Sequence, residues 1–319
     1  MDFAAGFILI ALAWLIEAVL GWPAWLYARI KHPVVWIGAL IALADKAFNK
    51  DPFSHQTRYI LGALACLILL ALTTGLAVLI TWVLHHWAWG VMVEAVIASS
   101  LMASRSLYDH VDAVARPLLA GDLAKARQGV AQIVGRDPER LDAAGIASAS
   151  LESLAENASD GVIAPMFWGV IFGLPGLVAY KTINTLDSMI GHTSARYHAF
   201  GGFAARLDDG VNLIPARLTG VLFALAGWSA QALRVMIRDA HRHRSPNAGW
   251  PESALAGVLG IRLSGPRAYG EGVRDEPWLN EDAPDPDASH VKQGLTLYVR
   301  AMVLGWGMVA GMAVLGGVL

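Results

Sequence analysis

Three groups of polar residues in this 319-residue chain have types and spacings that suit chemistry on phosphates. The first is Glu152, Glu156 and Asp160, which recur every four residues opposite the apolar stripe Leu151, Leu154, Ala155 and Ala158. Like charges one helical turn apart repel by about a few tenths of a kcal/mol per pair, and a hard cation such as Mg²⁺ shared with substrate phosphates removes that cost. Spacing alone favours a solvated acidic face. Asn157 beside the stripe favours a metal site, as does the course of the helix into a segment that enters the membrane, where exposed charge is expensive.

The second group begins at Lys181 and places Asn184, Asp187 and Ser188 at i, i+3, i+4, followed by Arg206, Asp208, Asp209, Asn212 and Arg217. Ion pairing within a helix bundle is the alternative reading of this group. In the third, Arg234, Arg238 and Arg242 fall at i, i+4, i+8 and lead through Arg244 into Ser245-Pro-Asn247-Ala-Gly249. Guanidinium forks followed by a small-residue turn with free backbone N–H groups suit a polyanion. A basic flank at a membrane boundary accounts for the arginines but not for the turn. No Walker A sequence, no glycine-rich dinucleotide fingerprint, no GxSxG and no HExxH occurs, so a nucleotide would need an unfamiliar frame.

The elements that must position these residues are membrane helices. Apolar residues make up 55% of the chain, charged residues 16%, and the mean hydropathy is +0.48. Soluble domains are about a quarter charged, so much of this surface faces lipid. The net charge of −2 argues against a nucleic-acid partner. The single cysteine, Cys66, lies in an apolar run and reads as a buried small hydrophobe.

The expected fold is an all-α polytopic membrane protein, one integral membrane domain over residues 1–319, with five or six transmembrane or re-entrant helices and polar insertions at 105–160 and 234–294. The spans fall at Met1–Trp22, Tyr59–Leu84, Trp89–Ser104, Gly161–Tyr180, Leu213–Leu233 and Leu295–Leu319. Without a basic n-region the first reads as a retained helix. His85, His86, Trp87 and Trp89 read as an interfacial belt. Within Gly161–Tyr180, Pro165, Gly169, Gly173, Pro175 and Gly176 predict a broken, re-entrant or protein-covered segment. Six alternating crossings, with the N-terminus outside, put the four basic residues of 22–56, six of 105–160 and eight of 234–294 in the cytoplasm against three of 181–212 outside. If the broken segment does not cross, 181–212 joins the cytoplasmic face. Asp137-Pro138 is the expected start of the acidic helix, and 280–290 reads as a flexible loop.

Five strings carry a resemblance that runs essentially the whole length: His32–Gly38 (HPVVWIG), Arg136–Pro165 (RDPERLDAAGIASASLESLAENASDGVIAP), Tyr180–His192 (YKTINTLDSMIGH), Arg196–Arg217 (RYHAFGGFAARLDDGVNLIPAR) and His243–Gly260 (HRSPNAGWPESALAGVLG). In these the chain resembles the membrane-bound adenosylcobinamide-phosphate synthases, or cobyric acid aminopropanol ligases, of cobalamin (vitamin B12) biosynthesis.

The resemblance implies an ATP- and Mg²⁺-dependent ligase. It would join a carboxylate of the corrinoid adenosylcobyric acid to the amine of (R)-1-amino-2-propanol O-phosphate, or of aminopropanol. It also implies a multi-pass protein of the cell (inner) membrane, with its active site cytoplasmic and possible contacts with other membrane enzymes of the pathway. Glu152, Glu156, Asp187 and Asp209 are then the candidate catalytic groups, and Glu156, Asp160 and Asp208 the metal ligands. Asn157, Asn184 and Asn212 would orient substrate. Arg206, Arg217, Arg244, Ser245, Asn247 and Gly249 would hold phosphate. A transporter, which also uses broken helices with intramembrane acids, is the competing class, and a non-enzymatic scaffold the third.

Overall fold

A computed structural model describes residues 3–134, 138–192, 194–269, 272–274 and 276–318. The chain is almost wholly helical. In order, the helices are α1 Phe3–Leu20, α2 Ala24–Ile30, α3 Pro33–Phe48, α4 His55–Leu84, α5 Gly90–Ser99, α6 Ser104–Leu119, α7 Leu123–Val130, α8 Ala143–Ala158, α9 Ala164–Ile190, α10 Gly202–Ala226, α11 Ala230–Asp239, α12 Gly249–Leu259 and α13 Ala288–Val318. Four short strands, β1 Leu263–Ser264, β2 Arg267–Tyr269, β3 Gly272–Arg274 and β4 Trp278–Leu279, lie between α12 and α13. They pair antiparallel as β1 with β4 and β2 with β3.

Six described helical stretches are long and apolar enough to cross a membrane: Ala24–Phe48, His55–Leu84, Gly90–Leu119, Ala143–Ile190, Gly202–Ala226 and Ala288–Gly316. The protein is therefore an all-α, multi-pass membrane protein. Several boundaries differ from the sequence reading. Residues 22–56, read as a connection between two spans, hold a candidate span of their own. Leu213–Leu233 is not one helix: α10 starts eleven residues earlier, and the chain turns at Trp228, whose φ is 50°, before Ser229 Oγ caps α11 by accepting from Ala232 N at 3.1 Å. The proposed helix start at Asp137 lies outside the described residues. The acidic helix begins at Ala143, where Asp142 accepts from Gly145 N at 2.8 Å, and Pro138–Arg140 forms only a 3₁₀ turn.

The Gly161–Tyr180 segment is interrupted, as its glycines and prolines predict. A π-helical turn over Ser159–Ile163 joins α8 to α9, and Gly173 leaves the helical region with φ 65° and ψ −153°, two residues before Pro175. Its neighbours Gly169, Leu174, Gly176 and Leu177 are buried, so protein rather than lipid surrounds the break.

The chain divides into two compact units. The first comprises Met1–Ala103, Ala164–Asn212 and Val309–Leu319; the second comprises Ser104–Ile163 and Leu213–Met308. In the first, Ile37 and Ile41 of α3, Cys66 and Leu69 of α4, and Leu186 and Ile190 of α9 meet in one core with Phe200. Gly62 lets α4 approach the Phe200 carbonyl so closely that a Cβ there would clash.

A polar lock at one end of this unit runs against the placement of 22–56 and 181–212 on opposite sides. Asp45 accepts from Asn49 Nδ2 at 2.8 Å and from Arg196 at 2.7 Å; Arg58 donates to Asn49 at 2.8 Å and to the Arg196 carbonyl. The pairing with Asp45 holds the Arg196 guanidinium's pKa above its ordinary value. Residues 45–58 and the loop after α9 therefore share one end of the unit, whereas alternating crossings put them on opposite sides.

In the second unit, α6, α7, α8 and α12 pack around Val111, Val114, Ile146, Leu151, Leu154 and Leu255, all fully buried. The 280–290 stretch, read as flexible, is anchored. Arg262 forks onto Asp285 at 2.7 and 3.0 Å, and Asp287 Oδ1 accepts from Ser289 N at 2.8 Å where α13 starts.

Candidate functional site

The first unit builds a polar cluster from the C-terminal half of α9 and the start of α10. On α9, Tyr180, Asn184 and Asp187 follow i, i+4, i+7 and so lie on one face. On α10, Asp208 and Asn212 stand one turn apart and are linked, Asn212 Nδ2 donating to Asp208 Oδ2 at 2.9 Å. Tyr180 completes the chain by donating to Asn212 Oδ1 at 3.0 Å. Asp187 and Asp208 act on each other electrostatically, Asp209 acts on both, and the Asn184 amide and His192 lie beside them. The Asp187 carboxylate folds over Gly191, where a Cβ would clash with it.

Asp208 is the informative member. It is only 8% exposed; Asn212 donates to its Oδ2 and the Asn184 amide also acts on the carboxyl as a donor, while Oδ1 has no partner within 3.5 Å. A buried carboxylate oxygen without a partner, beside two further aspartates, is costly unless a donor or a positive charge meets it. Among the described residues no three His, Cys, Asp or Glu side chains are grouped to hold a metal by themselves. Mg²⁺ does not need such a cage, because it is commonly bound by one or two carboxylates together with substrate phosphates.

The acidic stripe is split by the second unit. Glu152 is buried, accepting from the Ser264 backbone N–H and from Ser148 Oγ, both at 3.0 Å, so it ties α8 to β1 instead of facing outward. Glu156 and Asn157 are exposed and Asp160 is half-buried in the π-turn. Asn157 Nδ2 donates back to Ser153 O at 2.9 Å, a local helix contact. The even four-residue spacing hid this, because the helix face at Glu152 is covered by β1, an element the sequence reading lacked.

The arginine stripe is likewise largely internal. Arg238 forks onto Asp239 at 2.8 and 2.7 Å, Arg242 lies 3.7 Å from the same carboxylate and 3.4 Å from Glu281, and Asn280 N donates to Asp239 at 2.8 Å. Burial alone would raise the Asp239 pKa; Arg238, the Asn280 N–H and Arg242 outweigh it and hold the carboxyl below its ordinary value. Arg234 is exposed, and Arg244 is half-exposed 3.5 Å from the buried Glu276.

The turn that follows is built as a self-contained cap. His243 Nδ1 accepts from Ser245 N at 3.1 Å, and Ser245 Oγ accepts from Asn247 N and Ala248 N, both at 3.2 Å. These N–H groups therefore serve the turn itself. A Cβ on Gly249 would clash with the Ala240 carbonyl oxygen and sit 2.6 Å from His243 Cβ, so the glycine serves close packing within the protein and not access for a ligand, contrary to the sequence expectation. Beneath the turn, His243 Nε2 and Glu252 Oε1 face each other at 3.8 Å, both deeply buried. Arg217 stacks on Trp250, 4.2 Å from the ring centroid, and donates to Leu213 O at 2.6 Å; Arg206 donates to Tyr59 Oη at 3.0 Å.

Sequence reasoning missed Tyr180 and Glu252. Tyr180 stands one turn before Asn184 on the same helix face, and that spacing was the available signal; Glu252 had none short of the fold. It also missed Asp45 and its partners Arg58 and Arg196, which only long-range packing brings together.

Fold and site together define a polytopic membrane protein with three neighbouring aspartates on two of its helices. The sequence model of the family described as CobD/Cbib protein matches residues 10–298, and the chain belongs to that family. A protein of Rhodobacter capsulatus named cobalamin biosynthesis protein CobD is 54% identical over 314 residues, covering 98% of each chain. Proteins of the same name from Brucella suis and Rhizobium meliloti are 46% and 44% identical, covering 97% and 86% of each chain. No solved structure matches.

Proposed function

We propose that the protein is an ATP-dependent amide ligase of cobalamin biosynthesis. It joins adenosylcobyric acid to aminopropanol phosphate, or to aminopropanol, at the cytoplasmic face of the inner membrane. The observation that carries the reading is the orphaned, buried Oδ1 of Asp208 amid Asp187 and Asp209, in a chain whose relatives are named for cobalamin biosynthesis.

A carboxylate is a poor electrophile and must be activated, here by phosphorylation, before an amine attacks it. Asp208 and Asp187 are the residues suited to hold Mg²⁺, which when bound neutralises charge on phosphate oxygens. Asn212, fixed between Tyr180 and Asp208, orients the Asp208 carboxylate so that Oδ1 points away from the internal hydrogen bond. Asp209, half-buried at the rim of the cluster, is the candidate to take a proton from the substrate ammonium, so that the free amine attacks the acyl phosphate and inorganic phosphate leaves. In the second unit, Glu152 and Gly249 act through the fold.

The test is a single-turnover reaction of purified protein with ATP, Mg²⁺, adenosylcobyric acid and either amine. Amide product that forms only when both ATP and Mg²⁺ are present supports the ligase. Substrate uptake by proteoliposomes with no amide product supports a carrier and overturns it.

A further inference from the structure

The segment between α1 and α3 carries exposed cations and aromatic rings that no role above uses. Residues 24–48 are long and apolar enough to cross a membrane, but they form two helices. Lys31 has φ 63° and ψ −165°, and Pro33 confines His32 to extended backbone with φ −105° and ψ 143°, so α2 stops at Ile30 and α3 starts afresh at Pro33. With seven residues α2 rises roughly 10 Å, about a third of the hydrocarbon thickness. It is too short to span, and none of its residues is buried. Asp45 near the end of α3 belongs to the polar lock, so α2 lies at the other end of that helix.

The exposed side chains here are of two kinds. Trp25, Tyr27 and Ile30 are large and apolar, whereas Arg29 and Lys31 are cations. The Arg29 guanidinium lies 5.8 Å from the Trp25 ring centroid and the Lys31 ammonium 5.5 Å from that of Tyr27, so each charge is laid over an aromatic ring. Trp36 donates from Nε1 to the Ile30 carbonyl at 2.8 Å, which brings a further exposed ring from α3 to the end of α2. Aromatic rings with polar edges favour the level of the lipid headgroups, and lysine or arginine at that level attracts anionic ones. The chain supplies no counter-charge of its own. No acid occurs between Glu17 and Asp45, Glu17 is buried, and Asp45 is occupied by Arg196 and Asn49. Among the described residues, neither Arg29 nor Lys31 is paired with a carboxylate. Lys31 also holds a left-handed backbone that favours glycine, so the lysine costs the fold stability that glycine would not.

We infer that α2 lies in the headgroup layer and that Arg29 and Lys31, two residues apart at its end, hold anionic phospholipid headgroups, with Trp25, Tyr27 and Trp36 seated beside the acyl chains. The site stands whether or not the protein is a ligase.

The experiment counts lipids bound to the full-length protein by native mass spectrometry, with phosphatidylglycerol and phosphatidylcholine of the same acyl chains offered in equal amounts at low salt. The wild type takes up phosphatidylglycerol preferentially. Arg29→Gln and Lys31→Gln each lower that preference about fivefold, the value of one cation at a membrane surface, and together they lower it about 25-fold; Arg29→Lys combined with Lys31→Arg keeps most of it. Lys31→Gly has a sign that a structural role does not: it relieves the left-handed backbone, so the melting temperature matches or exceeds that of the wild type while the preference falls. This variant keeps the test valid if a glutamine variant misfolds. Equal uptake of the two lipids by the wild type, or an unchanged preference in the double glutamine variant, overturns the lipid site. A preference that millimolar glycerol phosphate abolishes assigns the cations to a soluble phosphate and overturns it too, as does a dimer that excludes both lipids.

Discussion

Replacing Asp208 by asparagine separates a cation-binding role from a structural one, because the two predict opposite signs of stability. In the wild-type unit Asp208 Oδ2 accepts from Asn212 and Oδ1 is buried without a partner, close to Asp187 and Asp209. An asparagine carbonyl can still accept from Asn212, so that bond survives. The amide also removes one of three mutually repelling charges and presents N–H donors toward the carboxylates that remain. The relief corresponds to an unsatisfied buried group, about 1–3 kcal/mol. In the absence of Mg²⁺ the melting temperature of Asp208→Asn is therefore expected to rise by a few degrees. Catalysis moves the other way. Loss of one member of a buried charge contact costs about 2–5 kcal/mol, or roughly 30- to 5,000-fold in kcat/KM. The assay pairs thermal melts, with and without Mg²⁺, with the single-turnover reaction. Mg²⁺ raises the melting temperature of the wild type by mass action but not that of the variant. A variant that melts lower than the wild type, or one with unchanged turnover, refutes the assignment of Asp208 to a cation.

Other positions carry sharper structural expectations. Glu152→Gln loses a charge-assisted bond to Ser264 N and is expected to lower the melting temperature by an amount equivalent to about 1–3 kcal/mol with or without Mg²⁺; a purely Mg²⁺-linked loss would return Glu152 to the metal. Gly249→Ala forces a methyl against Ala240 O and is expected to cost about 1–3 kcal/mol, read as reduced yield and melting temperature before any change in KM. Asp239→Asn tests linkage. The carboxyl is held below its ordinary pKa, so its stabilisation is present above the unfolded value near 4 and lost as pH falls through the folded one. The wild-type advantage over Asp239→Asn should be full at pH 7 and vanish in acid, and a difference that is constant with pH would contradict the arginine clamp.

Much of the architecture was legible because lipid imposes simple demands on a sequence. Charge-free runs such as Tyr59–Leu84 have to be helical to satisfy their backbone, and the glycines and prolines of Gly161–Tyr180 have to break a helix where protein covers it; α4 and the bend at Gly173 match both. The grouping of Asn184, Asp187, Asp208 and Asn212 was legible for a similar reason, since helical spacing places them on adjacent faces of consecutive helices.

Tertiary structure alone decided which polar residues look outward and which look in. Glu152 and Glu156 are indistinguishable by spacing, yet β1 covers one and leaves the other exposed. Arg238 and Arg242 read as a stripe for a polyanion until Asp239 and Glu281 occupy them, and Asn280 reaches Asp239 from a segment forty-one residues on. Gly249 suits a ligand turn by sequence and serves the Ala240 carbonyl by packing. Periodicity along one helix records which residues share a face, because backbone geometry sets the repeat. It holds no record of what arrives at that face from a distant part of the chain, and for this protein those arrivals separate the residues that build the fold from those left to meet a ligand.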